Sequence, residues 1–143
     1  MAKILYTANA HVTGGRSGHG RTTDGALDVD LRVPKEMDGE GGGTNPEELF
    51  AVGWSACFES ALAGVARLQH LEIGEVAIDA AISLFPVGDG SFKLSASLDV
   101  SIPDVSDRDV AVELVRRAHE VCPYSNATRG NIDVDLLLDG KPL

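Results

Sequence analysis

Two cysteines, Cys57 and Cys122, are the residues of this chain whose type points most directly to covalent chemistry. A thiolate is a strong nucleophile, and two thiols that meet can be oxidised to a disulfide. A chain of 143 residues can bury a core without a disulfide, so stability alone does not explain them. The alternative for each is a small buried side chain without chemistry, and their spacing carries no motif that decides between the two interpretations.

The first cysteine lies within the strongest helix signal of the sequence. Asn45 is suited to cap a helix, Pro46 to its first position, and Glu48 to a capping box with Asn45. Residues 49–68 are mostly apolar or small, which predicts a helix buried on most sides. Apolar surroundings disfavour a thiolate, and Cys57 is about 18 Å from the helix start, beyond the reach of the helix dipole. A reactive Cys57 therefore needs a cation from elsewhere.

The glycine-rich segment 14–21 carries two arginines, Arg16 and Arg21, that could supply this cation. Glycines allow its backbone to approach another backbone closely, and a guanidinium stays charged while it bridges a thiolate to a carboxylate. Arg67 and His70 follow Cys57 on the same helix and are too far along it to reach the sulfur. These residues alone leave the choice between Arg16 and Arg21 open.

The second cysteine is predicted at the end of a second helix, where Pro123 stops the chain from continuing. Ser106 and Asp109 are the predicted caps at the start of this helix. A cysteine at a helix end moves into disulfide range more easily than one in mid-helix, which makes Cys122 the natural partner of Cys57. His119, one turn earlier, either contacts Cys122 or is a surface histidine on a polar helix face, and the surface position is the prediction.

The part of the chain up to about Val33 is predicted to form strands, of which residues 27–33 alternate most clearly, and further strands are predicted over residues 76–84, 92–102 and 132–138. Gly88-Asp89-Gly90 joins the two long strands as a hairpin, and Asp24-Gly25 is a second hairpin turn. The order β-β-α-β-β-α-β indicates an α+β fold, in which antiparallel sheets pack around two main helices. Residues 1–143 are predicted to form a single domain.

Composition argues against several functions. Twelve Lys and Arg against 22 Asp and Glu give a net charge of −10, which repels nucleic-acid phosphates and anionic lipids. We therefore expect no nucleic-acid partner and no membrane association. Residues 1–12 lack the apolar run of a signal peptide, and no stretch approaches the roughly 18 apolar residues of a spanning helix, so the expected location is the cytoplasm. The four histidines and two cysteines show no zinc-ligand spacing, and neither a metal nor a cofactor is expected.

Four short segments form a further pattern, and they read VTGGRSG at 12–18, GTNPEELFA at 43–51, SACF at 55–58 and VCPYSNAT at 121–128. In this order and spacing they resemble the organic hydroperoxide resistance (Ohr) proteins of the osmotically inducible protein C (OsmC) superfamily. Each segment alone is a weak signal, whereas the four together are specific. The resemblance runs the length of the chain.

The resemblance implies a thiol-dependent peroxidase that reduces organic hydroperoxides to alcohols through a sulfenic acid and an intramolecular disulfide, protecting against oxidative stress. Carried over by position, Cys57 is the peroxidatic cysteine, Cys122 the resolving cysteine, Arg16 the activating cation and Glu47 its carboxylate partner. It also implies an OsmC/Ohr-like intertwined homodimer with active sites at the subunit interface, and a lipoyl-type dithiol as reductant. The family pattern has tyrosine where this chain has Trp54.

Glu47 raises a question of geometry. On one continuous helix it lies about 15 Å from Cys57 along the axis, too far for a single guanidinium to contact both. Either the helix is broken between them, or the Glu47 near a given Cys57 belongs to the partner subunit. We favour the partner subunit, because that arrangement also explains why the fold would dimerise. An acidic residue that merely suits the first helical turn is the other interpretation of Glu47.

A carbon-bearing peroxide calls for an apolar pocket, and Phe50, Trp54 and Met37 are its candidate lining. Each of these large apolar side chains equally suits a place in the core. Two other functions stay open on the sequence. One is a sister OsmC-type peroxidase with a different preference among peroxides or small electrophiles. The other is a non-enzymatic, stress-related dimeric binding protein in which Cys57 is only buried.

Overall fold

The computed structural model describes residues 2–143. The contacts of the chain group into two units, with the boundary between Leu49 and Phe50. This grouping does not decide whether residues 1–143 form a single domain, which stays a prediction.

The first unit holds a three-stranded antiparallel sheet in the order β1-β2-β3. The strands are β1 (Ala10–Thr13), β2 (His19–Thr22) and β3 (Asp28–Asp30). The predicted turn at Asp24 and Gly25 joins β2 to β3, and Gly25 takes a left-handed φ of 74° there. Among residues 2–49, Leu31 is the one buried hydrophobic side chain. This unit therefore has little core of its own.

The second unit contains a four-stranded sheet in the order β4-β5-β6-β7. The strands are β4 (Ala77–Pro86), β5 (Phe92–Ser101), β6 (Asp133–Leu138) and β7 (Lys141–Pro142). The helices of the chain are α1 (Pro46–Leu68), which begins at the end of the first unit, α2 (Arg108–Val121) and α3 (Pro123–Thr128). The predicted α+β class is therefore confirmed, and the hairpin at Gly88-Asp89-Gly90 joins β4 to β5 as expected.

The expectation of purely antiparallel sheets is wrong at one pairing, because β5 and β6 run parallel. Parallel neighbours need a crossover connection of roughly a dozen or more residues, usually a helix. The chain supplies this crossover with α2 and α3, which lie between β5 and β6 in sequence. The predicted element order contained the crossover helix, but the strand pairing that follows from it was missed.

The start of α1 follows the predicted capping box. The Asn45 side chain accepts a hydrogen bond from the Glu48 backbone N–H at 2.9 Å and donates its amide to the Glu48 carboxylate at 2.7 Å. Pro46 occupies the first helical position, where its missing N–H costs nothing. The sequence thus fixes the helix start to the residue.

The prediction that α1 is buried on most sides is wrong for the chain described here. One face enters the core, whereas Val52 and Leu68 are 71% and 84% exposed. An 18-residue window of α1 also has a mean hydropathy of 1.5, enough by length and composition to cross a membrane, contrary to the expectation from the sequence. The core helix of a soluble protein meets the same test, and this helix supplies core side chains.

The core of the second unit gathers side chains from two helices and the central strand. The largest fully buried apolar ones are Trp54, Phe58 and Leu62 from α1, Leu98 and Val100 from β5, and Leu114 and Val115 from α2. The strand residues come from the alternating face that the sequence predicted. This packing holds α1 and α2 in fixed positions, and those helices position both cysteines.

The ends of α2 differ from the prediction. The cap is Asp107, whose carboxylate accepts hydrogen bonds from the backbone N–H groups of Asp109 and Val110 at 2.9 and 3.3 Å. Ser106 lies one residue too early, and Asp109 is an acid in the first turn. At the other end Pro123 ends α2 as expected, but it also starts a third helix, because proline suits a first helical position.

The corrected cap gives a direct test of stability. Asp107→Ala should lower the free energy of unfolding by about 1 kcal/mol, because two backbone N–H groups lose their acceptor. Urea unfolding followed by circular dichroism measures the change, with Ser106→Ala as the matched control. An equal loss in the two variants would contradict the assignment of the cap.

Candidate functional site

The two cysteines meet in the second unit. The Cys57 Sγ, on α1, lies 3.6 Å from the Cys122 Sγ, between α2 and α3, and both residues are free thiols. Cys122 is fully buried, whereas Cys57 retains partial exposure. The sulfurs are therefore in contact but not bonded, and the more accessible one is Cys57.

The backbone holds Cys122 from both sides. Its N–H donates to the Ala118 carbonyl at 2.9 Å, closing the last turn of α2, and its carbonyl accepts from the Asn126 N–H at 2.9 Å, opening α3. Cys122 itself is extended, with φ −64° and ψ 125°, as expected for a residue before proline. Pro123 thus sets the bend that carries the Cys122 side chain between two helices.

The surroundings of Cys57 keep its sulfur neutral. Burial raises the pKa of the Cys57 thiol above its ordinary value, and the neighbouring Cys122 thiol raises it further. A hydrogen bond from the Tyr124 backbone N–H acts in the opposite direction and does not offset the burial. The raised pKa has the direction expected for a thiol in apolar surroundings, although Cys57 is only partly buried.

A groove of about 740 Å³ opens beside Cys57 in the second unit. Its wall is largely apolar, with two cationic side chains from α1 and α2. Its lining is Cys57, Ser60, Ala61, Gly64, Val65, Arg67, Leu68, Gln69, Arg117, Val121 and Pro123. Arg67, set aside from the sequence as too distant from Cys57, thus lines the same groove as the sulfur.

The three predicted pocket residues do not line this groove, and their role in a substrate pocket stays a prediction. Trp54 is fully buried in the core, and Phe50 packs edge-on against it with ring centroids 5.4 Å apart. Met37 is 44% exposed in a short 3₁₀ turn of the first unit. None of the three contributes to the wall of the groove beside Cys57. A large apolar side chain gives no sign in the sequence of whether it lines a cavity or fills a core, and small residues such as Ala61 and Gly64 form this wall.

Arg16 and Glu47, the other two residues predicted for the site, form an ion pair within the first unit. The Arg16 Nη1 and Nη2 atoms each donate to one Glu47 carboxylate oxygen at 2.7 Å. The bond with Arg16 lowers the pKa of Glu47, and the same bond raises the already high pKa of Arg16. Both groups are therefore charged at neutral pH, in the fork geometry that makes arginine and carboxylate pairs strong.

The turn that carries Arg16 requires glycine at its ends. Gly14 takes a left-handed φ of 74°, and a Cβ at Gly18 would stand 1.8 Å from the Thr13 carbonyl oxygen. A side chain at position 18 would therefore displace the backbone. The prediction that glycines here permit close backbone approach is confirmed, and the approach closes the turn over residues 15–17.

Arg32 is a structural residue that the sequence analysis missed. Its Nη1 atom donates to the carbonyls of Gly18 at 3.0 Å and Leu31 at 2.6 Å, with Ser17 at 3.4 Å. It therefore anchors the end of the Arg16 turn to the strand edge. The alternating pattern of residues 27–33 marked Arg32 only as a solvent-facing charge, and no local signal distinguishes the two roles.

Arg21 and the histidines take other positions. Arg21 lies on β2, with its Nε 3.9 Å from the Asp28 carboxylate, and His19 lies between Asp28 and Asp30 at 2.6 and 3.0 Å. The prediction that His119 is a surface histidine is wrong, because its ring is half-buried and lies 2.9 Å from the Ser125 hydroxyl. Among residues 2–143 no group of three or more His, Cys, Asp or Glu residues could hold a metal ion.

The helix between Glu47 and Cys57 is unbroken, since α1 runs without interruption from Pro46 to Leu68. Ten residues of α-helix correspond to about 15 Å along the axis. The first of the two explanations considered for Glu47, a break in the helix, is therefore excluded.

The sequence of this chain matches a known protein family. The model of the OsmC-like protein family matches residues 39–137, and the chain belongs to this family. Within it, the chain is 48% identical to the organic hydroperoxide resistance protein of Xanthomonas axonopodis pv. citri, over 95% of this chain and 96% of that protein. It is also 48% identical to the organic hydroperoxide resistance protein OhrB of Bacillus subtilis, over 94% and 98% of the two chains.

Solved structures agree with the fold. The organic hydroperoxide resistance protein of Legionella pneumophila superposes with a TM-score of 0.91 at 49% identity, covering 95% of this chain and 98% of that chain. A putative organic hydroperoxide resistance protein of Vibrio cholerae gives a TM-score of 0.93 at 44% identity, covering 99% and 96%. The resemblance inferred from the four short segments is confirmed, and the chain is a member of the organic hydroperoxide resistance group.

The Arg16–Glu47 pair predicts a stability that depends on pH. Because the pKa of Glu47 is lowered by folding, its carboxylate stabilises the protein above its unfolded pKa of about 4.3 and loses this contribution as the pH falls through its folded pKa. Glu47→Gln should therefore cost on the order of 1 kcal/mol at about pH 7 and almost nothing at about pH 3. Thermal unfolding at both pH values measures this.

Glu36→Gln is the control for this measurement, because Glu36 is exposed in the same unit. The thermal unfolding of Glu36→Gln should match that of the unchanged protein at both pH values. A cost of Glu47→Gln that persists undiminished in acid would contradict the charged pairing.

Proposed function

We propose that this chain is a peroxidase in which Cys57 reduces an organic hydroperoxide and Cys122 closes the oxidised sulfur as a disulfide. The observation that supports this most directly is the 3.6 Å contact between two free thiols, of which Cys57 is the accessible one. Membership of the organic hydroperoxide resistance group supplies the substrate class. The peroxide enters by the groove beside Cys57, whose apolar wall suits a carbon-bearing molecule.

The reaction balances over two steps. The Cys57 thiolate attacks one peroxide oxygen, the O–O bond breaks, and the alkoxide leaves and takes up a proton as the alcohol. The Cys122 sulfur then attacks the sulfenic acid at Cys57, and the hydroxyl leaves with the Cys122 proton as water. Two thiols have then lost two electrons to the peroxide, and an external dithiol of the lipoyl type, in the cytoplasm, restores them.

Arg16 is the proposed source of the charge that the first step needs. Burial holds the pKa of Cys57 above its ordinary value, so a nearby cation is required to favour the thiolate and then the leaving alkoxide. Arg16 gives two of its N–H groups to Glu47, and a guanidinium has five. Its remaining N–H donors are available to the sulfur, while Glu47 fixes the orientation of the guanidinium plane.

The Arg16–Glu47 pair that serves one Cys57 belongs to a second copy of the chain. An unbroken α1 separates Glu47 from the Cys57 of its own copy by about 15 Å. A homodimer in which each copy lends its pair to the other removes this separation. The active sites then lie at the subunit interface, and the dimer assembles the site.

Exposed apolar side chains support the homodimer. Three consecutive residues before β1, namely Ile4, Leu5 and Tyr6, are 76%, 95% and 78% exposed. On α1, Val52 and Leu68 are equally open to solvent. Consecutive exposed apolar residues are rare in a monomer and mark surfaces that a partner covers.

Exchange of single cysteines tests the roles of the two sulfurs. Cys57→Ser should abolish the consumption of cumene hydroperoxide, because no other thiol attacks it. Cys122→Ser should complete one turnover and stop at a sulfenic acid, which dimedone traps and mass spectrometry detects. Full activity of Cys57→Ser would overturn the mechanism.

Mixed dimers test whether the site is shared between copies. In a dimer of one Arg16→Ala chain and one Cys57→Ser chain, the intact Cys57 and the intact Arg16 are on different chains. Such a dimer has one complete site only if Arg16 acts on the Cys57 of the other chain. It should then recover about half of the activity of the unchanged dimer, because one of two equivalent sites is complete. Separately tagged chains, purified by both tags, give the sample, and activity no higher than that of either parent would show that Arg16 serves its own chain.

A further inference from the structure

A buried hydroxyl joins the three helices around the cysteines. Ser125, on α3, is fully buried, and its Oγ accepts a hydrogen bond from the Trp54 indole N–H at 3.2 Å. The same Oγ lies 2.9 Å from the His119 Nδ1. Because the indole only donates, the Ser125 O–H is free to donate to Nδ1, which makes His119 neutral with its proton on Nε2. Among residues 2–143 no buried side-chain nitrogen or oxygen is left unpaired.

Each residue of this network lies three positions from one of the two cysteines in the sequence. Trp54 precedes Cys57 by three residues on α1, and His119 precedes Cys122 by three residues on α2. Ser125 follows Cys122 by three residues on α3. The hydroxyl therefore ties together the three helical turns next to the two sulfurs, and both flanks of Cys122 are fixed to the helix of Cys57.

We propose that Ser125, with Trp54 and His119, positions Cys122 for its attack on the oxidised Cys57 and so sets the rate of disulfide closure. The inference rests on the proposed function, since it assigns these residues to the second step of that reaction. They are positioning residues, because the contacts described join them to one another. In the step they serve, the Cys122 sulfur bonds to the Cys57 sulfur, the sulfenic S–O bond breaks, and the hydroxyl leaves with the thiol proton as water.

Protonation of His119 breaks the network. A protonated ring donates from both nitrogens, so Nδ1 no longer accepts from Ser125 and the buried Ser125 O–H loses its acceptor. Burial and the charge of Arg129, which binds the His119 carbonyl, lower the pKa of His119, and Glu120 opposes them. The ring of Phe58, on α1, faces His119 and carries no charge. The neutral network is therefore retained above the ordinary histidine pKa of about 6.5 and lost as the pH falls through the lower folded value.

Single-turnover kinetics separate the two steps. One equivalent of cumene hydroperoxide is mixed with the reduced protein, and the fluorescence of Trp54, the one tryptophan of the chain, is followed in time. Quenched samples assign the first phase to sulfenic acid, trapped with dimedone, and the second to disulfide. Ser125→Ala should slow the second phase about tenfold and leave the first unchanged, because a buried hydrogen-bonded link is lost.

Ser55→Ala is the matched control, since Ser55 lies on α1 and its hydroxyl bonds only to the Ala51 carbonyl of its own helix. It should leave both phases unchanged. Equal second phases in Ser125→Ala and Ser55→Ala would overturn the inference, as would an equal slowing of both phases in Ser125→Ala. If the unchanged protein forms neither sulfenic acid nor disulfide, the proposed function fails instead.

A pair of variants at His119 repeats the test without touching Ser125. His119→Asn places an amide oxygen near the position of Nδ1 and keeps the acceptor, whereas His119→Leu removes it. The second phase should stay fast in His119→Asn and slow about tenfold in His119→Leu. The ratio of the closure rates of His119→Asn and the unchanged protein should rise as the pH falls through the folded pKa of His119, because the histidine titrates there and an asparagine does not. A flat ratio, or equal rates in the two variants, would contradict the positioning role.

Discussion

The cost of ionising one buried thiol is the constraint on which this protein depends. Burial in the second unit raises the pKa of Cys57, and the adjacent Cys122 adds to the effect. A protonated sulfur packs well and reacts slowly, so peroxide chemistry at this position requires a charge that α1 does not supply.

The two proposed halves of such a site lie in different units, and neighbouring residues hold each of them. In the first unit, Gly18 closes the turn of Arg16, Arg32 anchors it, and Glu47 holds the guanidinium in a fork. In the second, Pro123 and the Ser125 network hold Cys122 against Cys57. Each half is complete within its own unit. The proposed homodimer joins the halves, and this explains why apolar side chains of α1 stay exposed in the single chain.

The sequence predicted the features that depend on local chemistry. Asn45, Pro46 and Glu48 predicted the start of α1, and the glycines around Arg16 predicted close backbone approach, because caps and glycine positions depend on a few neighbouring residues. Features that depend on distant contacts were missed. The parallel pairing of β5 and β6, the bond between His119 and Ser125, and the anchoring role of Arg32 all join residues whose proximity no local pattern records. The four family segments marked Cys57, Cys122, Arg16 and Glu47 together, which spacing alone did not.

Titration of the Cys57 thiolate by its absorbance at about 240 nm, in a Cys122→Ser background, tests the central claim most directly. In the assembled protein the pKa of Cys57 should lie below the ordinary thiol value of about 8.5. Adding Arg16→Ala should raise it above that value, where burial alone places it, whereas adding Arg21→Ala should leave it low. A pKa that is already high with Arg16 present, and that does not move when Arg16 is removed, would contradict the account.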